Sequence, residues 1–248
     1  MLGTVAIMLA VGGMDDPTMT ITPVPGKGYS ISIESFPAKD KPQVSARMIE
    51  KGIAKCGALK PRWGRFSFKT GYPNGAAGGA WVIGYRQALT CYDPANDPFK
   101  PAPADWIASE ADAKEATAFA NGYLDRFQTG DVRAVTMFEP MLEMTITEWV
   151  GQPNHVKGRL GRGTRRLAGP IWRLNPTEAA HPGAYAMFGF LGQYSGMRAY
   201  CGMLMVYRVA PGQYQITAEN MQTVTNDDVS SGRVSASVAD QSCRDMLK

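Results

Sequence analysis

The chain has 248 residues, 44% of them hydrophobic, and its 26 Lys and Arg against 22 Asp and Glu give a formal charge of +4. That apolar fraction suffices for a buried core and excludes whole-chain disorder, and the length suits one large domain or two ordinary ones. The basic excess is mild and spread out, unlike the concentrated positive face of a nucleic-acid binder, so no nucleic-acid partner is expected.

From Leu2 to Val11 the sequence is apolar, and it breaks at Gly12, Gly13, Asp15 and Asp16. The run is too short to span a bilayer and reads as the apolar part of a secretory signal over residues 1–14. The processed protein would then be periplasmic or secreted, with no transmembrane segment. The competing reading is a buried N-terminal strand.

A small βαββ unit is expected over residues 15–95. In YSISIESF, Tyr29 to Phe36, apolar and polar residues alternate as in a strand, and KPQVSARMIEKGIAKCG places Val44, Met48, Ile49 and Ile53 at helical spacing. Gly57 ends that helix. RWGRFSFKTG and AWVIGYRQALTCY read as two strands around the turn-rich YPNGAAGG, whose glycines lack phosphate-loop or dinucleotide spacing. Pro94, Pro98, Pro101 and Pro103 then mark a linker, taken as residues 96–108, because proline removes a backbone donor and biases its predecessor toward extended structure.

The second unit, residues 109–225, opens with a helix capped by Ser109, with acidic residues in its first turns. Ala116, Phe119, Ala120, Tyr123, Leu124 and Phe127 share one face of it, and Gly130 stops it. DVRAVTMFEPML begins a second helical piece, followed by TITEWVGQPNHVKGRLG; beyond Gly163 the pattern turns to strands in TRRLAGPIWRLNP, AYAMFGFLGQYSGM, AYCGMLMVYRVAP and QYQITAENMQTV. Residues 226–248 form a C-terminal tail. The whole is an α+β chain, with helices followed by an antiparallel meander in its second half.

Cys56, Cys91, Cys201 and Cys243 fall as one pair in each half. Four cysteines allow three pairings. The local pairing would close one loop in each half and tie the tail to a strand; the alternative is four reduced core cysteines. No CxxC pair or Cys-His cluster suggests zinc, and no motif calls for a metal or cofactor.

The order of helix, "GD" turn, second helix and long antiparallel strands resembles the cystatin-like α+β roll shared by ketosteroid isomerase, scytalone dehydratase and nuclear transport factor two. Within that superfamily, residues 109–224 are similar to an uncharacterised bacterial exported family, through TGDVRAVTMF, RLGRGTRRL and the GAY that opens a central strand. Phe138 stands later than that family's usual aromatic, and the tail after Val224 has no counterpart. The resemblance implies a cone between helix and sheet, where an enzyme of this fold sets a shielded acid or base.

The expected cone lining is Phe188, Phe190, Tyr194, Tyr200, Met203, Met205 and Tyr207, joined by Met187. Those strands carry no carboxylate or histidine, and the catalytic candidates are Glu219, whose facing alternation leaves open, with Tyr194 and Asp131. His155 and His181 sit beside loop-forming neighbours and read as surface residues, and no Ser lies in a G-x-S-x-G elbow. Lys157, Arg159, Arg162, Arg165, Arg166 and Arg173 cluster at a helix-to-strand junction; arginine forks two hydrogen bonds to carboxylate or phosphate, so an anionic partner is one reading and a charged, solvated edge the other. Met137, Met141 and Met144 are near helical spacing and read as core filler. The leading expectation is a non-catalytic binding or assembly protein of the envelope, with an envelope protein or a small hydrophobic molecule as partner. The alternatives are an isomerase- or dehydratase-like enzyme acting in the cone, and a homodimerisation module.

Overall fold

The computed structural model describes residues 18–71, 73, 79–139, 155–177 and 179–246. The apolar segment at 1–14, Met141 and Met144, and most of the loop between the second and third expected strands lie outside the described residues.

The fold is α+β, with two four-stranded antiparallel sheets. The first contains β1 (Met19–Val24), β2 (Gly28–Pro37), β3 (Lys60–Gly71) and β4 (Trp81–Tyr92) in the order β1-β2-β4-β3, with α1 (Lys41–Cys56) between β2 and β3. The expected βαββ unit is therefore ββαββ. Strand β1 escapes the pattern search because Pro23 interrupts it, which an edge strand tolerates.

Helix α1 buries Val44, Met48, Gly52 and Cys56, one residue per turn, against Ile31, Ile33, Tyr85 and Leu89. Ile49 and Ile53, expected on this face, are instead 48% and 53% exposed. Gly52 explains the offset: a Cβ there would stand 2.4 Å from the Trp63 ring, so the helix meets β3 through its glycine row. Cys56 and Cys91 form a disulfide between the end of α1 and β4.

The second sheet is a simple meander of β5 (Gly163–Leu174), β6 (Ala184–Tyr194), β7 (Met197–Ala210) and β8 (Gln213–Thr225). Helix α2 (Glu110–Thr129) packs on one face of it, here called the inner face. Ser109 caps α2 in a reciprocal capping box with Asp112, and Gly130, at φ 69°, accepts the left-handed turn that ends it. The second helical piece is a 3-10 helix, Val132–Met137, and the remainder through residue 154 is outside the described residues.

Within the tail, α3 (Asn226–Ser230) and α4 (Ala236–Met246) fold back on the sheet. α4 covers Ala199 and Val224 on the outer face, fastened by the Cys201–Cys243 disulfide. The proline-rich stretch also packs. Asn175 receives the Ala102 N–H at 2.8 Å and donates to the Ala102 carbonyl at 3.0 Å, and Trp106 meets Trp172 edge-on at 5.2 Å.

Candidate functional site

The inner face of the second sheet is filled. Ala116, Ala120, Tyr123, Leu124 and Phe127 from α2 meet Phe188, Phe190, Tyr200, Leu204 and Val206, all at no more than 1% exposure. Three of the expected lining residues, Phe188, Phe190 and Tyr200, are thus core, with Tyr194 half-buried beside them. Met203, Met205 and Tyr207 are on the opposite face, because they alternate with Gly202, Leu204 and Val206 along β7.

One carboxylate does reach the inner wall. Thr217 is an extra residue in β8, since Met205 pairs with Ala218 while Val206 pairs with Ile216. This bulge changes which residues point inward, from Tyr214 and Ile216 before it to Glu219 and Met221 after it. The Tyr123 hydroxyl donates to the Glu219 carboxylate. Nearby, the Gln128 side-chain amide donates to the hydroxyls of Tyr194 at 2.8 Å and Tyr200 at 3.2 Å, and burial pushes the Tyr200 phenol up to about 12. Asp131 is not in the cone: it caps the 3-10 helix and grips the exposed Arg133, whose side chain and then backbone N–H hold its carboxyl down at about 2.

Of the two histidines read as surface residues, His155 is partly exposed and paired, and His181 is buried. His155 Nε2 is 2.9 Å from Asp228, the residue that completes the cap of α3. His181 is 3% exposed, with Nε2 2.7 Å from Glu139 and Nδ1 2.9 Å from the Tyr185 hydroxyl, which donates to the His181 carbonyl at 2.7 Å. The Tyr185 proton goes to that carbonyl, so the tyrosine oxygen faces Nδ1 as an acceptor; Glu139 meets Nε2 through Oε1, and its buried Oε2 has no hydrogen-bond partner among the described residues. Burial, then the Glu139 charge, keep the Tyr185 phenol far above its ordinary range. Phe99 seals the cluster, stacked 3.9 Å over His181, and Tyr207 closes it edge-on at 4.3 Å. A Glu-His-Tyr chain can relay protons, yet here each member is at most 3% exposed, so its arrangement is that of a clamp.

The clamp extends into the first sheet. Arg62 of β3 bonds Asp97 at 2.5 Å and lies over the rings of Tyr92 at 3.9 Å and Phe99 at 4.8 Å. Neither His181 nor Arg62 was legible as a site residue, because what buries them comes from distant stretches of chain.

The outer face of the second sheet is partly bare. Register places Arg166, Leu191, Cys201 and Gln222 in one row across the strands, Ala168, Gly189, Met203 and Asn220 in the next, and Ile171, Met187, Met205 and Ala218 in a third. The fourth row, Arg173, Tyr185, Tyr207 and Gln215, includes the two tyrosines of the Phe99 clamp. Leu191, Met203 and Ile171 are 38%, 39% and 70% exposed. At the end near α4 lies a cleft of about 510 Å³, bounded by the β6–β7 hairpin and by Asp240 and Arg244 of the helix.

The arginine cluster divides. Arg165 turns onto α2 and binds Asn121 at 3.0 Å and Asp125 at 2.8 Å, whereas Arg166 and Arg173 stand on the outer face of the edge strand. Lys157, Arg159 and Arg162 are exposed in the loop that leads to β5. Comparison with family models, with curated proteins and with solved structures found no match.

Proposed function

We propose that this chain is an exported, non-catalytic binding protein built on a cystatin-like roll, and that it engages its ligand through the outer face of the second sheet. One observation carries the reading: the space between α2 and the sheet is occupied by side chains at 0–1% exposure, while large apolar residues on the other face are bare. Export is supported by the Cys56–Cys91 and Cys201–Cys243 disulfides, which persist in oxidising compartments. No helix among the described residues is long and apolar enough to cross a membrane.

Methionine methyl resonances test the reading. Ligands from a chemically diverse set should shift Met187, Met203 and Met205 and leave Met221, which packs on the core, unmoved. Turnover of any small hydrophobic substrate that vanishes in Glu219→Gln would overturn it.

The Tyr123–Glu219 pair favours a second reading, an isomerase-like enzyme in which this carboxylate takes a proton while the phenol supports it. Glu219-dependent exchange of deuterium into the α-carbon of a cyclic ketone would establish that reading.

A further inference from the structure

We infer that the cleft beside α4 holds the head group of a single-chain fatty carboxylate, whose tail lies along the apolar strip of the outer face. This inference rests on the outer-face binding reading above. The polarity of the surface changes in one direction along β6 and β7. At the cleft, Arg198 is fixed by Asp240 at 2.5 Å, and Arg244 lies on the same wall. Arg166 stands opposite Leu191 on the same face, and the Arg162 N–H bonds Ser195 Oγ at 3.0 Å, which brings a fourth arginine to this hairpin. Among the described residues Arg162, Arg166 and Arg244 make no ion pair, so the positive charge here exceeds that of Asp240 and suits an anion.

Beyond the cleft the next two rows of the outer face carry no charge, and the fourth has Arg173 at its edge. Leu191, Met203, Met187, Met205 and Ile171 follow for about 13 Å, by the rise of a strand over the four residues from Leu191 to Met187. The strip then closes at Tyr185 and Tyr207 beneath Phe99. A cationic mouth, an apolar run and a closed end match a charged head on a tail of limited length. A polyanion would need the positive charge to run without a gap, and two uncharged rows separate the cleft from Arg173. Asp240 beside Arg198 disfavours a dianionic phosphate more than a single carboxylate.

The test is calorimetric titration of the full chain with decanoate, decyl phosphate, decanol and inorganic phosphate, with methionine methyl spectra recorded in parallel. Decanoate is expected to bind once per chain and shift Met203 and Met205, with decanol and inorganic phosphate at least about tenfold weaker. Arg244→Gln combined with Arg198→Gln should weaken decanoate by about tenfold or more while the thermal melt is retained, and Met203→Asp should abolish binding. Equal affinity for decanol, tighter binding of decyl phosphate, or a concentration-dependent dimer that buries Met203 overturns the inference. Decanoate shifting Met221 in place of Met203 overturns the outer-face reading as well. Outer-face shifts with another ligand and none with decanoate overturn the ligand class alone.

Discussion

At the scale of single residues, buried charges are held by hydrogen bonds rather than by solvent. Burial alone would raise the Asp112 carboxyl, but the Ser109 hydroxyl and N–H and then Arg208 outweigh it, and the net shift is downward. Asp228 behaves alike, held down by Thr225, His155 and Arg233 against burial. A carboxyl lowered in the folded state stabilises above its unfolded value of 3.8 and loses that contribution as pH falls through the lower folded value. Stability should therefore decline on acidification below about pH 4, and Asp112→Asn should flatten the decline while lowering stability at neutral pH. Urea melts at pH 7 and pH 3 check this, and an unchanged acid slope in the variant would reject the role of Asp112. His181→Ala is expected to cost about 3 to 5 kcal/mol, because it leaves the buried Glu139 without its partner. Glu139→Gln should cost less, and a double-mutant cycle in urea should give a coupling well above that of a surface pair.

At the scale of elements, local rules were legible and cross-strand events were not. The Ser109 cap, the Gly130 stop and the α2 face from Ala116 to Phe127 follow from spacing and capping chemistry within one segment, and the structure has all three. Arg62, Phe99, His181 and Glu139 meet from four separate stretches of chain, so no window of sequence shows their contact. The Thr217 bulge is set by the partner strand, so alternation alone left the facing of Glu219 open. Ile49 and Ile53 satisfied helical periodicity, but a periodic pattern does not say which of two adjacent stripes meets the sheet, and Gly52 against Trp63 decides that. The β7–β8 contact has little slack: a Cβ on Gly202 would stand 2.4 Å from the Asn220 carbonyl oxygen and 2.6 Å from the Phe190 ring. Gly202→Ala should destabilise by roughly 1 to 3 kcal/mol in a denaturant melt, since backbone must move to admit it. A neutral outcome would mean that this region of the sheet is looser than its packing implies.

Across the whole molecule, the proline-rich stretch connects two sheets with separate cores and carries the contacts that couple them. Arg62 from the first sheet is stacked between Tyr92 and Phe99, and Phe99 in turn lies on His181 of the second unit. The segment expected to act as a spacer thus sets Phe99 against both the buried Arg62 guanidinium and the His181 ring, with Asn175 gripping its backbone at Ala102. Coupling through one such path makes a specific demand on unfolding. With the stack intact, the two cores should melt together in one calorimetric transition; Phe99→Ala, which leaves the Arg62–Asp97 pair in place, should separate them and lower the transition of the second unit. Loss of a ring stacked on a buried imidazole costs roughly 0.5 to 1.5 kcal/mol beyond the area uncovered, so the second transition should fall by several degrees. His181 should then become accessible, with its imidazole exchanging with solvent on a timescale visible by NMR. If Phe99→Ala melts in a single transition at the wild-type temperature, coupling must run through other contacts and the ring is only a cover over the Glu139–His181 pair.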